Sequence, residues 1–189
     1  MARYRRWKCL PPTVQISIDT NEQRPWRLPD SVYVYAPRCR YTRDLVHIQI
    51  VHESLQAYGV DYAIRTSDTD DRTGAGNDFD GVVVGVERKG SESEIVKNML
   101  TRDYRRTKKS LEKLRVSCVS PWLILDMPYP QTEEGLAAAA GFLSFASYSD
   151  VKVLWLHTSA GKDTAGRVVA SLMLSEYAGI RSLWWWKTR

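Results

Sequence analysis

The sequence predicts an α/β protein in which a first group of strands is followed by strands alternating with helices, giving a layered structure around a central mixed sheet. Three observations carry that expectation. Short apolar runs with strand-like patterning recur at Val14–Asp19, Val60–Arg65, Gly81–Arg88, Pro121–Met127 and Val151–His157. Segments with helical apolar periodicity fall between the later runs. The chain has 189 residues, enough for one domain with a full core and too few for two comfortable ones.

Each element has its own justification. VQISID alternates apolar and polar residues and reads as a strand. From Asp44 to Tyr58 the spacing of Leu45, Ile48, Val51, His52 and Leu55 predicts a helix. VDYAIR is a second strand, and GVVVGVER is a third, suited by its β-branched run to burial on both faces. Between them SDTDDRTGAGND is poor in apolar residues and reads as the turn-rich loop of a hairpin. Ser91 and Glu94 have capping-box spacing, and Ile95, Val96, Met99, Leu100, Tyr104, Leu111 and Leu114 continue at helical intervals. One long helix is therefore expected from near Glu92. PWLILDM and VKVLWLH read as buried strands, with a small-residue helix from Glu133 to about Ser147 between them. Asp163 is placed to cap a last helix that carries Val168, Val169, Leu172 and Met173.

Composition removes several classes. The longest apolar stretch, Gly135 to Ala146, has 12 residues, short of a bilayer span, and no apolar run follows the basic start MARYRRWK. The protein is expected to be intracellular. Cys9, Cys39 and Cys118 are odd in number with no CxxC spacing, and His47, His52 and His157 complete no zinc site with them. Glycines at 74, 76 and 161 fit no complete nucleotide-binding motif. With 27 Lys and Arg against 22 Asp and Glu, the net charge is +5, which suits a polyanionic partner. Its distribution says more. Lys97 to Arg115 holds eight basic residues against Asp103 and Glu112, whereas Asp68 to Asp80 sets five aspartates against Arg72.

Chemistry is concentrated where acids stand at strand ends: Asp19 and Glu22 in IDTNEQRPW, Asp61 in VDYAI, and Glu87 in VERKG. Hydrolysis of a phosphodiester needs a hard cation held by oxygen ligands, and two or three carboxylates supply that cage. On a strand, Glu87 and Lys89 point to one face, so the ammonium sits beside the acid, where it is placed to orient or help deprotonate an attacking water. Arg88 points to the other. This is the D…ExK logic of restriction-endonuclease-like nucleases. The basic helix face, with Arg105, Arg106, Lys108 and Lys109, is the first place to look for phosphate contacts. Both chain ends, RYRRWK and LWWWKTR, mix aromatic and cationic residues; Trp184, Trp185 and Trp186 read as hydrophobic anchors in preference to base-stacking residues.

ISIDTNEQRPW, VDYAI, VVGVERKG and Arg102 together resemble the nuclease domain of the XPF superfamily of structure-specific endonucleases. PWLILDM and VKVLWLHTSAGKDTAGRVVASLM resemble that family's later strand and its strand-plus-helix dimer element, so the likeness runs from about Val14 to Tyr177. It implies a restriction-endonuclease-like nuclease domain over residues 13–180, between a basic tail (1–12) and a Trp-rich basic tail (181–189). It implies Asp61 and Glu87 as metal ligands, Asp19 as a third and Glu22 as a further acid. Lys89 becomes the catalytic lysine, with Arg88 and Arg102 supporting the site or touching DNA. Mg²⁺ is the implied ion, with Mn²⁺ able to substitute, and the implied partners are branched DNA and a second subunit. The implied location is with DNA, in a nucleus if the source is eukaryotic and in the cytoplasm otherwise.

There are departures. The family's glycine before the second-strand aspartate is Val60, and its last motif aspartate falls at Ser93, leaving Glu94 as the nearest suitable acid after a one-residue shift. The distance from Asp19 to Asp61 implies an insertion within Pro29 to Tyr58. The expected activity is metal-dependent DNA cleavage at branches or flaps; the alternative is a non-catalytic DNA-binding or scaffold subunit. Completeness of the acid and lysine set favours the enzyme.

Overall fold

The computed structural model describes residues 10–35, 43–65, 81–157 and 161–187. Among these the strands are β1 (Thr13–Asp19), β2 (Ser31–Tyr35), β3 (Arg43–Glu53), β4 (Tyr62–Arg65), β5 (Val82–Lys89), β6 (Cys118–Asp126) and β7 (Lys152–Leu156). The helices are α1 (Glu92–Leu100), α2 (Tyr104–Ser117), α3 (Glu133–Tyr148) and α4 (Lys162–Lys187). The strands form one sheet in the order β2-β3-β1-β4-β5-β6-β7. It is mixed: β1, β4 and β5 run antiparallel to one another in turn, while β5, β6 and β7 are mutually parallel, joined by helical crossovers. This is the layered α/β arrangement, a central mixed sheet flanked by helices, that the sequence predicts.

Alternation along the strands feeds two cores. Ile16, Tyr62, Ile64, Val84, Val86 and Ile124 pack on one face against Val169, Met173 and Leu174 of α4. Ala63, Val82, Leu123 and Leu125 pack on the other against Ile95, Leu111, Leu114, Ala138 and Phe142 from α1, α2 and α3. A sheet with both central faces covered explains why the middle strands read as continuous apolar runs. Cys118 is buried in the second core, and burial pushes its thiol up to about 12, so it is an inert packing residue.

Three expectations are corrected. The segment Asp44 to Tyr58 is not a helix: Arg43–Glu53 is the longest strand, paired antiparallel to β2 and parallel to β1. The β-branched residues Val46, Ile48, Ile50 and Val51 decide it, with Val46 and Ile48 inward and the intervening His47 exposed. The Pro29 to Tyr58 region, expected as an insertion, thus adds β2 and β3 beyond β1. Second, the long helix is broken between Leu100 and Tyr104. Thr101 Oγ1 turns back onto the Lys97 carbonyl (2.6 Å) and accepts the Asp103 N–H (3.2 Å), a local pairing that competes with helix propagation. Third, Asp163 lies inside the first turn of α4, not at its cap, where its charge still favours the helix N-terminus. The acidic 68–80 loop and residues 1–9 fall outside the described residues, as do the side chains of Trp184, Trp185 and Trp186.

The seating of β5 against β6 depends on Gly85. A Cβ there would crowd Cys118 Sγ and lie 2.9 Å from Val60 Cγ1. Gly85→Ala is expected to lower stability by about 1–3 kcal/mol in denaturant titration. The double variant with Cys118→Ala should recover part of that loss, because the two side chains compete for one space.

Candidate active site

The site lies on the sheet edge where β1 and β5 end and β4 begins. Tyr62 is in register with Ile18 on one side and Val86 on the other, which sets Asp61 level with Asp19 and Glu87 across three adjacent strands. Backbone hydrogen bonds of 2.8 Å from Asp19 N–H to the Asp61 carbonyl, and from Asp61 N–H to the Val86 carbonyl, hold that row.

Alternation along β5 then divides Glu87, Arg88 and Lys89 between two faces. Glu87 and Lys89 face α1 and α2. Lys89 Nζ stands 2.7 Å from Glu87 Oε1 and 3.2 Å from Glu94 Oε1. Glu94 is fixed by the start of its own helix: its N–H donates to Ser91 Oγ, and its Oε2 accepts the Gly90 N–H at 2.9 Å. The capping signal at Ser91 therefore also anchors Lys89 through Glu94. A cleft of about 330 Å³ is lined by Glu22, Arg24, Asp61, Glu87, Arg88, Lys89 and Glu94, with Gln23, Gly90 and Ser91. A second cleft of about 340 Å³ shares Glu87, Lys89 and Glu94 and continues beneath α2 to Lys97, Asp103, Arg106 and Thr107.

The electrostatics are those of an acid cluster short of positive charge. Burial, then the neighbouring Glu87 carboxylate, holds the Asp61 carboxyl well above the usual aspartate value, against the opposing effect of the Arg88 N–H that donates to its Oδ2 at 2.7 Å. Burial by itself would lower the Lys89 ammonium, but Glu87 and then Glu94 outweigh it and raise its pKa. Lys89 thus keeps its proton at neutral pH, which suits charge stabilisation and orientation and does not suit a general base.

The donor set fits a hard divalent cation. Asp61 and Glu87 offer carboxylate oxygens side by side on adjacent strands. Among the described residues no three His, Cys, Asp or Glu side chains form a complete metal cage. Two carboxylates with the remaining positions left to water or phosphate is a ligand set typical of Mg²⁺. Asp19 is level with the pair but differently engaged: its buried Oδ1 accepts the Leu55 N–H at 3.0 Å, and it does not line the cleft.

On the opposite face Arg88 is the centre of a network that sequence reasoning did not assemble. Its Nε and a terminal nitrogen donate to Asp126 Oδ2 at 3.0 and 2.7 Å, and another donates to the Arg24 carbonyl at 2.6 Å and to Glu22 Oε1 at 3.4 Å. The guanidinium lies over the Trp26 ring, 4.8 Å from its centroid, while Trp26 Nε1 donates to the same Asp126 oxygen at 2.7 Å. Trp26 in turn stacks on Tyr62 and donates its N–H to the Tyr62 hydroxyl. Asp126 ends PWLILD, so an acid at the end of that strand was the available signal. Arg106 reaches the second cleft, whereas Arg102, Arg105, Lys108 and Lys109 are exposed on the α1–α2 junction and α2.

No family model and no curated protein matches the chain. Among solved structures it is similar to XPF from Aeropyrum pernix, with 15% identity and a TM-score of 0.49 over 88% of this chain and 60% of that one. It is also similar to XPF from Aeropyrum pernix in complex with DNA, with 13% identity and a TM-score of 0.47 over 89% of this chain and 65% of that one. The chain spans less than two thirds of the length of either.

Two outcomes follow from the geometry. Because the folded-state value of Asp61 is raised, the metal-free fold loses stability as pH climbs from the ordinary aspartate value of 3.8 through the folded value. Asp61→Asn is therefore expected to raise the melting temperature at neutral pH, with the gain shrinking to nothing below the ordinary aspartate value; a gain independent of pH would contradict the assignment. Asp126→Ala removes the acceptor of Trp26 Nε1 and the carboxylate nearest to Arg88, which keeps Glu22 at 3.4 Å, and should cost about 2–4 kcal/mol in denaturant titration.

Proposed function

We propose that the chain is a divalent-metal-dependent DNA endonuclease that hydrolyses phosphodiesters at branched or flap structures, using Mg²⁺ with Mn²⁺ as a substitute. The observation that carries this reading is the Glu87–Lys89 pair on one face of β5, directly beside Asp61, in a cleft that opens toward the basic α1–α2 segment.

Asp61 and Glu87 are the residues that would hold the ion, with Asp19 level behind them. A divalent cation supplies Lewis-acid polarisation of the phosphodiester and a more acidic water. The side chains of the chain itself do the positioning. Lys89, kept protonated by Glu87 and Glu94, directs an ammonium into the cleft where charge develops on the phosphoryl oxygens, and it orients the attacking water. The Arg88 N–H fixes the Asp61 carboxylate, and the Arg88 side chain ties the Glu22 loop to β5 and β6. Arg102, Arg105, Arg106, Lys108 and Lys109 supply positive charge for the phosphate backbone beyond the cut.

The test is cleavage of a labelled panel of duplex, single strand, 3′ and 5′ flaps, splayed arm and four-way junction with Mg²⁺ or Mn²⁺. Asp61→Ala and Glu87→Ala are expected to abolish cutting, and Lys89→Met to slow it by about 10²- to 10³-fold while DNA binding persists. Tight binding with no metal-dependent cleavage would overturn the enzyme in favour of a DNA-binding subunit.

A further inference from the structure

We infer that Tyr129, backed by Trp155 and His157, is a stacking platform for an unpaired base of the DNA strand that enters the candidate site. The inference deepens the nuclease reading and rests on it for its purpose. Tyr129 is 59% exposed in the connection between β6 and α3. Its ring centroid lies 4.9 Å from that of Trp155 and 6.0 Å from that of His157, a tilted three-ring cluster. Such an exposed ring is ordinarily loose, but this one is held. Prolines at 128 and 130 restrict the backbone on both sides. Gln131 Nε2 donates to the Tyr129 carbonyl at 2.8 Å, and Trp155 Nε1 donates to the Met127 carbonyl at 2.8 Å. A rigid, two-torsion aromatic loses little entropy when a base stacks on it.

Position makes the platform part of the site. Lys89 is in register with Leu125, and Leu125 with Trp155, so the lysine and the tryptophan are level on parallel strands and share a sheet face. Two strand spacings separate them, about 10 Å. The Tyr129 loop is also tied to the turn that lines the cleft, because Glu92 at the start of α1 accepts from the N–H groups of Gln131 and Thr132 and from the Thr132 hydroxyl. A strand whose phosphate lies at Lys89 passes the Tyr129 ring with a neighbouring base, and only an unpaired base presents its face there. The platform therefore favours substrates with single-stranded DNA next to the cut.

The experiment is binding of a labelled single-stranded oligonucleotide, and of a duplex of the same sequence, in EDTA so that no cleavage intervenes. Tyr129→Ala is expected to weaken single-strand binding about 5- to 100-fold and leave duplex binding unchanged. Tyr129→Phe should bind like the wild type, as should Tyr148→Ala, which removes a still more exposed tyrosine at the far end of α3. Single-strand affinity unchanged in Tyr129→Ala, or equal losses on both DNAs, would overturn the proposal and leave Tyr129 as a cover for Trp155. Failure of the nuclease reading looks different: no metal-dependent cutting, with the single-strand loss at Tyr129→Ala intact.

Discussion

The rest of the site depends on a partly buried cation placed on each face of β5. Five carboxylates, from Glu22, Asp61, Glu87, Glu94 and Asp126, approach this strand end, and burying such groups without partners costs several kcal/mol each. Period-two alternation sends Lys89 to Glu87 and Glu94, and Arg88 to Asp126 and Glu22. The two cations are not interchangeable. Asp126 receives two nitrogens of one planar fork that also stacks on Trp26, a geometry a lysine cannot reproduce. Lys89 instead presents a compact charge between two carboxylates at the mouth of a cleft.

This division explains what each residue contributes. The Arg88 side chain joins the loop after β1 to β5 and β6, while its own N–H reaches through to the Asp61 carboxylate. One residue therefore serves both faces, and the structural network behind the sheet sets the position of the acid in front of it. Glu94 is a second such bridge, completing the start of α1 with one oxygen and holding Lys89 with the other. Fold and site share these contacts, so the acid cluster is as rigid as the strand and helix ends that carry it.

How much of this was legible follows from how local each signal is. The short apolar runs at β1, β4, β5, β6 and β7, and the Ser91–Glu94 cap, are local and were read directly, as was the shared facing of Glu87 and Lys89. β3 misled because Leu45, Ile48, Val51 and Leu55 fall at helical intervals, although Leu45 is 43% exposed and only pairing with β1 and β2 fixes which residues turn inward. The break at Thr101 was missed because apolar periodicity continues across it, while the hydroxyl that stops the helix is silent in that pattern. Trp26 and Asp126 were unreadable as partners because they meet across 100 residues of chain. Asp19 was legible as a member of the row, but the Leu55 N–H that occupies its carboxylate belongs to a turn whose position depends on β3.

The charge balance of the cleft argues for an order of events in the proposed reaction. Glu22, Asp61, Glu87 and Glu94 line it with Lys89 and Arg24, and the positive charge of Arg88 is already shared with Asp126. A phosphodiester approaching that surface meets net negative charge. The basic residues assigned to the DNA backbone in the proposed reaction lie instead along α1 and α2, outside the acid cluster. Capture of the backbone and entry into the cleft are therefore separate demands: the first is met by surface arginines and lysines and weakens with salt, and the second is met only when a cation has neutralised Asp61 and Glu87. In the proposed reaction such an arrangement binds DNA broadly and admits it to the acids only with metal in place, which confines cutting to the strand that the cleft has accepted.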